Sequence, residues 1–560
     1  MTGGSVRTKG RINAAIIAGA LVLSGAYVGA DGADLVPGFL TFKAPLPRVV
    51  PFPDSPTVSP EPAEIPLFAK STNFDANTYK ALVREFATDY RLANAKLSFW
   101  VGDRDGVELA SYEPQSALTA ASTTKLLTAV AALHEFGPEA RARTVVAWDN
   151  DKRKLYLIAG GDVLLGSGAD APRSIKGYAG LDTLAADTIV ALSSQTPGES
   201  EQASASHQPS PTKERKTSAP KAPASRDKSP TGSLLNGKPY TLVLDTSWFG
   251  SETASPFWRE GDDRWVGPIQ GMAIDTGLID PNANKGYYPD AAGVAGQAFA
   301  QSLSRLGGAG PAKVEVGKSG LASKKLLDPL SALPEVNTEV ATSHGPTPIA
   351  YAQGAPLAQV ERQMLKISDN TLAENLGRLV ALHRNAKPTF ATSGTAVMES
   401  LRELGLDLGK TEMKGCSGLA YDTRIPARVL ADVVRLSMSK DHPELHSVAA
   451  NVPVAGVDGT LEHVYQGTLA AGVVRGKTGT LGITNSLAGT FVRDNQEFVY
   501  ALVISGYPDS QGGPSIQAKQ MFINGLLGAK TSFSNVDPKS QPPSPPPDAP
   551  APPSQETPAN

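Results

Sequence analysis

Lys125 stands three residues after Ser122, and the apolar run Leu126-Leu127-Thr128-Ala129-Val130-Ala131-Ala132-Leu133 follows. On a helix, positions i and i+3 share a face. The Ser122 hydroxyl then sits at the helix start with the Lys125 amine one turn above it, a nucleophile beside a base. Spacing alone does not select this pair, because Ser210/Lys213, Ser218/Lys221, Ser225/Lys228 and Ser437/Lys440 repeat it. Two later stretches give it company in a fixed order: Ser368-Asp369-Asn370 and Lys477-Thr478-Gly479-Thr480. Context discards the look-alikes. Ser210, Ser218 and Ser225 lie in a low-complexity tract, and Ser437 falls near a helix end. Ser71-Thr72-Asn73 precedes the first helix. Lys318-Ser319-Gly320 comes before Ser368 and lacks a following strand pair.

These types suit attack on an acyl carbon. Ser122 becomes a nucleophile when its proton is removed, and Lys125 removes it only when neutral. Burial and a second cation both lower a lysine pKa. The apolar helix supplies the first and Lys477 is the natural second. Ser368 is placed to relay a proton to a leaving nitrogen, and Asn370 to orient a substrate amide or Lys125. Lys477 and Thr478 suit a substrate carboxylate. The strand at Gly479-Thr480 can pair with an extended peptide. The N–H groups of Ser122 and Thr480 would form an oxyanion hole.

Elements must carry these groups to one place. At 560 residues, with 41% hydrophobic content, the chain can bury a large core. A net charge of -3 argues against a nucleic-acid binder, and one cysteine excludes an intrachain disulfide or a Cys-rich zinc site. Residues 1–30, with Arg7, Lys9 and Arg11 before the apolar run from Ile12 to Val28, read as a signal peptide or membrane anchor. Residues 31–74 read as a Pro-rich spacer and 532–560 as a Pro-rich tail. Between them the pattern gives a helix from Asn77, a hairpin turning at Asp103–Gly106, then the Ser122 helix. Strands follow over 144–148, 154–159 and 240–245, with helices over 181–192 and 292–306. Residues 193–233 hold almost no large apolar side chain and read as disordered. Helical periodicity from Leu357 runs on past Ser368-Asp369-Asn370. A helix over 426–436, strands over 473–480, 487–492 and 498–504, and a helix over 515–527 complete the chain.

With its flanks, the trio resembles the D-alanyl-D-alanine carboxypeptidase/endopeptidases of the penicillin-binding protein 4 type, the class C low-molecular-mass penicillin-binding proteins. Gly160-Gly161-Asp162, Met364 to Glu374, Ser417-Gly418-Leu419 with Arg424 and Pro426, Pro453 to Leu461, and Arg475 to Leu481 carry the similarity across roughly 78–527. Gly415-Cys416 and Ala420-Tyr421 depart from the family pattern. The resemblance implies an α/β (α+β) fold: a transpeptidase-like, β-lactamase-like domain with an antiparallel sheet and helices (75–144 and 336–531), carrying inserted β-rich domains at 145–335. It implies a serine-type D-Ala-D-Ala carboxypeptidase or endopeptidase acting on peptidoglycan stem peptides, with Ser122, Lys125, Ser368, Asn370 and Lys477 catalytic and Thr478, Gly479 and Thr480 binding substrate. β-Lactam antibiotics are expected to acylate Ser122. No metal or cofactor is expected, and the location is the cell envelope, outside the cytoplasm. A binding or scaffold protein on the same fold, and a β-lactamase or esterase, are the competing readings.

Other features have blander explanations. Cys416 has no evident His partner and reads as a bystander. His442-Pro443-Glu444-Leu445-His446 lacks a third ligand and has proline between its histidines. Gly317-Lys318-Ser319 has Ala312 where a phosphate loop needs glycine. Trp248, Phe249, Trp258 and Trp265 read as packing of the inserted region. Lys213, Arg215, Lys216 and Lys221 read as a solvated linker.

Overall fold

The computed structural model describes residues 76–169, 178–193, 237–280, 285–337 and 344–533. The expected leader, spacer, low-complexity tract and tail lie outside the described residues, save a residue or two at their edges.

Two sheets organise these residues. The first is wholly antiparallel, in the order β12-β13-β14-β1-β2: Val474–Leu481, Thr484–Arg493, Gln496–Ser505, Lys96–Asp103 and Glu108–Tyr112. Its strands alternate, so each face gets its own core. From β14, Val499, Ala501 and Val503 face one layer of helices, and Phe498, Tyr500, Leu502 and Ile504 face another. The second layer is helix α1 (Ala76–Ala87) with the C-terminal helix Gly512–Leu526, where Phe86 stacks on Phe522 at 4.2 Å. Burying each such ring stabilises the fold by about 1.5–3 kcal/mol. Asp494 and Asn495, both at positive φ (52° and 59°), close the β13–β14 hairpin as the right-handed strand twist demands.

Helix α2 (Lys125–Phe136) lies inside the first layer, and ten of its twelve residues are buried. A helix apolar on nearly every side must be a core helix. Helices Leu357–Ile367, Asn370–His383, Phe390–Glu403 and Ala427–Leu436 supply residues to the same core.

The second sheet is mixed, in the order β10-β4-β5-β7-β9: Thr347–Pro356, Arg141–Asp149, Lys154–Gly160, Tyr240–Asp245 and Ala312–Val316. β5, β7 and β9 run parallel. Helices Leu181–Ser193 and Ala291–Gly307 share a core with it.

Three differences from the sequence reading matter. The helix from Leu357 does not run past Ser368. It ends at Ile367, Ser368 takes a left-handed conformation (φ 60°, ψ 37°), and a new helix starts at Asn370, capped by the Asp369 carboxylate accepting from Leu372 N at 2.9 Å. Strand β10 and helix Phe390–Glu403 were not anticipated. The aromatic cluster also divides. Trp248 and Phe249 are buried and Trp258 packs edge-on against Phe390, but Trp265 is 43% exposed.

Candidate active site

Ser122 lies in a tight turn, Ala121–Thr124, that leads into α2. Ala121 holds φ at 49°, an uncommon value for a residue with a side chain. Neighbours hold the turn there. Thr123 and Thr124 donate to the carbonyls of Ala120 and Ala121, both at 2.7 Å, and Ser486 Oγ donates to Ala120 O at 2.6 Å. Gly418 and Gly479 press on the same turn. A Cβ on Gly418 would come 1.9 Å from Ala121 O; one on Gly479 would come 2.6 Å from Ala120 O and 3.0 Å from Ser122 N. Strand β12 can approach Ser122 this closely only because position 479 has no side chain.

Lys125 is fully buried. Its Nζ donates to Ser122 Oγ (3.0 Å), Asn370 Oδ1 (2.6 Å) and Ser417 O (2.8 Å). Lys477, also fully buried, donates to Ser368 Oγ and to Thr478 O, both at 2.9 Å. The left-handed turn at Ser368 ends one helix and lets Asn370 open the next, so both side chains reach this seam. Thr478 Oγ1 shares a hydrogen bond with Thr460 Oγ1 at 2.7 Å. Asp458, from the same segment, holds Lys366 at 2.5 Å. All three motifs therefore converge, along with the Ser417 and Thr460 segments.

The electrostatics differ in one respect from expectation. Burial lowers the Lys125 amine to about 7, against the charges of Glu374 and Asp369, which favour its protonated form. The second cation acts mainly the other way: burial, then the Lys125 charge, push Lys477 well below the usual lysine range. Desolvation is thus what brings the Lys125 amine toward its neutral form.

Several groups at the seam carried no site role in the sequence reading. Glu374, one turn after Asn370 on the same helix, is buried. Its carboxylate accepts from Cys416 N (2.9 Å), Ser417 N (2.9 Å) and Ser417 Oγ (2.5 Å). It fixes the loop whose carbonyls receive Lys125 and, from Cys416, the Thr128 hydroxyl at 2.7 Å. The i, i+4 relation between Asn370 and Glu374 was the available signal. Trp265 is another: its carbonyl accepts from Asn370 Nδ2 at 2.9 Å, tying the segment after β7 to the seam. Gly267 N donates to Thr371 Oγ1 at 2.8 Å, and the Arg259 guanidinium lies 3.2 Å from the Tyr421 ring centre.

Two cavities open on Ser122. The larger, about 950 Å³, has Trp265, Tyr287, Asn370 and Tyr421 in its walls. The smaller, about 330 Å³, is walled by Thr460, Thr478, Asn485, Lys519 and Gln520. Ser122, Ser368, Thr480 and Ile516 border both.

The remaining candidates are built into the scaffold. Burial and then the Glu374 charge raise the Cys416 thiol well above its usual range, which disfavours a thiolate. His442 contacts Glu444 at 3.2 Å, and His446 contacts Ser439 O at 2.7 Å. Ser319 is bound through its N–H and hydroxyl to Asp245.

Comparison with known proteins gives the chain's family and fold relatives. The chain is 31% identical over 270 residues to carboxypeptidase DacB of Mycolicibacterium smegmatis, covering 46% of this chain and 53% of that one, so it spans about half that relative's length. It is 25% identical over 476 residues to a D-alanyl-D-alanine carboxypeptidase of an Actinomadura species, covering 74% and 78%. The crystal structure of penicillin binding protein 4 from Haemophilus influenzae superposes with a TM-score of 0.56 at 18% identity, covering 80% of this chain and 99% of that one, which establishes the shared fold. Residues 79–186 and 331–523, more than half the chain, match the profile of one peptidase family. The chain belongs to the D-Ala-D-Ala carboxypeptidase 3 (S13) family.

Proposed function

We propose that this protein is a serine-type D-Ala-D-Ala carboxypeptidase and endopeptidase of the cell envelope, acting on peptidoglycan stem peptides. The observation that carries the reading is Lys125: a buried amine brought to about 7 and held 3.0 Å from Ser122 Oγ. Neutral Lys125 takes the Ser122 proton as Oγ attacks the penultimate D-Ala carbonyl. A bond forms from Oγ to the carbonyl carbon, and the negative charge falls on its oxygen, toward the N–H groups of Ser122 and Thr480. As the intermediate collapses the C–N bond breaks. The leaving nitrogen takes the proton that Lys125 received, relayed through Ser368, which Lys477 contacts at 2.9 Å. Water then attacks the ester carbon as the again neutral Lys125 takes its proton; the bond from that carbon to Oγ breaks, the acid product leaves, and Lys125 returns the proton to Ser122 Oγ. Asn370 orients Lys125 through Oδ1, and Thr478, Gly479 and Thr480 form the strand edge along which the peptide lies.

β-Lactams acylate the same hydroxyl on this reading. A fold shared with the Haemophilus protein, which has been crystallised with a β-lactam, supports it. So does the family's naming for the reaction. Residues 1–30 export or anchor the chain, and 145–335 form most of the insertion within the transpeptidase-like domain, whose mixed sheet begins at Arg141 and also takes in the strand Thr347–Pro356. The test is labelling with a fluorescent penicillin, together with release of D-alanine from an acyl-D-Ala-D-Ala peptide. Wild type takes up label and releases D-alanine; Ser122→Ala does neither while remaining folded. Label without D-alanine release would favour the scaffold reading, and rapid loss of label the β-lactamase one.

A further inference from the structure

Two stretches of the chain, Met364 to Glu374 and Pro453 to Leu461, meet at one ion pair. Lys366 lies in the last turn of helix Leu357–Ile367, two residues before Ser368. Its ammonium donates to Val452 O at 2.9 Å and to Asp458 Oδ2 at 2.5 Å. The other carboxylate oxygen, Asp458 Oδ1, accepts from Val454 N at 2.8 Å. One carboxylate thus closes the turn of its own loop and ties that loop to the helix end. Gly459, at φ 60°, lets the two approach: a Cβ there would come 2.6 Å from Lys366 O.

The same loop is joined to the strand that carries Lys477. Gly476 N donates to Pro453 O and Ala455 N to Val474 O, both at 2.9 Å. Thr460 adds its hydroxyl contact with Thr478. The loop is therefore a bracket, with one arm on the helix end before Ser368 and the other on the β12 residues to either side of Lys477. The gap it spans is the one between Ser368 Oγ and the Lys477 ammonium, 2.9 Å. Ser368 sits in the left-handed turn between two helices, so its placement depends on what pins the helix end. Exposed ion pairs hold little, but the Lys366 side chain is only 13% exposed, against 38% for Asp458. Burial lowers the Lys366 amine, and the Asp458 hydrogen bond and charge oppose that.

We propose that Lys366 and Asp458 are positioning residues for the proton relay: their ion pair fixes Ser368 against Lys477, so that the leaving nitrogen gains its proton as the C–N bond breaks. This role rests on the D-Ala-D-Ala carboxypeptidase reading and belongs to one step of it. Neither residue lines the cavities at Ser122. The attack itself depends on the pair less. Lys125 takes its partners from Ser122, Asn370 and Ser417, and Asn370 is held separately by Trp265 O.

The test compares two substrates with the same acyl-D-Ala half. In an acyl-D-Ala-D-Ala peptide the leaving group is an amine, and in the matching thioester it is a thiol. The amine leaves only when its nitrogen gains a proton, whereas a thiolate leaves without one. The readout is the ratio of kcat/KM for peptide over thioester, which reports acylation. Lys366→Met lowers the peptide value by about 10–100-fold, the scale of a misplaced catalytic group, and lowers the ratio at least severalfold. Lys366→Arg restores the ratio in part. Asp458→Asn keeps the shape of the side chain and lowers the ratio in the same direction, so the test survives misfolding of the methionine variant. The double variant loses no more than Lys366→Met alone, because both residues act through one contact. Equal losses for peptide and thioester in both single variants would make the pair a structural brace and overturn the proposal, as would unchanged rates in both. Failure of wild type to cleave the peptide would instead overturn the carboxypeptidase reading itself.

Discussion

The two sheets reach Ser122 by different means. The antiparallel sheet and the helices packed on it deliver charged side chains into a closed seam. Lys125, Lys477 and Glu374 are all almost wholly buried, and each has two or three hydrogen-bond partners. The segment following β7 of the mixed sheet instead delivers a backbone carbonyl to Asn370 and an exposed indole to the cavity wall. On the proposed reading the first region makes the chemistry, and removing one partner there strands another in low dielectric. The second shapes what enters, where single side chains are half solvated and individually worth little. If this division is right, substitutions should fall into two separate ranges of effect.

The largest effect should come from Lys125→Met, which keeps the length of the side chain and removes the base. We expect acylation by penicillin to slow by about 10³-fold or more, the scale expected when nucleophile and base act as a unit. Stopped-flow labelling measures it. In wild type the acylation rate should rise with pH through about 7, because Lys125 acts in the form that has lost its proton. A flat profile between pH 5.5 and 8.5 would remove Lys125 from the base role and dissolve the contrast between the regions.

Glu374→Gln should come next. An amide offers one acceptor where the carboxylate now receives three donors, and its NH₂ would face N–H groups. A stability loss of about 1–3 kcal/mol follows, checked by urea unfolding. Turnover should fall about 10–100-fold through misplacement of the Ser417 carbonyl. The separating readout is the pH profile. Glu374 favours protonated Lys125, so removing its charge moves the rising limb to lower pH. A purely structural residue would lower the rate and leave that limb in place.

The same division explains what the sequence made legible. Ser122, Lys125, Ser368, Asn370 and Lys477 could be picked out because the proposed chemistry admits few residue types, and the structure brings them together through hydrogen bonds from Lys125 to Ser122 and Asn370 and from Lys477 to Ser368. Glu374 reads only as the end of a motif flank, with no role, because its partners, the N–H groups of Cys416 and Ser417 and the Ser417 hydroxyl, lie 42 and 43 residues further along the chain. The break at Ser368 was hidden because apolar periodicity continues across it, and only the left-handed backbone, uncommon for serine, separates the two helices. Strand Thr347–Pro356 contains proline and glycine and lies at a sheet edge, where both are tolerated, so it does not look like a strand. Trp265 read as core because large aromatic residues usually are. Its exposure depends on the loop docked on Thr371 and Asn370, and that contact spans about a hundred residues of chain.

The smallest effect, and the sharpest test of the mixed-sheet side, is Trp265→Ala. The carbonyl that orients Asn370 belongs to the backbone and survives the substitution, so the seam stays intact. Acylation by penicillin should therefore change by less than about twofold, since a small ligand has little reach along the wall. Cleavage of a full stem peptide should lose about 3–10-fold, carried in KM, because the indole contributes only half-exposed apolar area to a longer ligand. Equal losses for both substrates would mean that the indole holds the loop against Asn370 and belongs with the seam. A loss confined to the long peptide would mean that the segment after β7 reads the substrate without touching the chemistry.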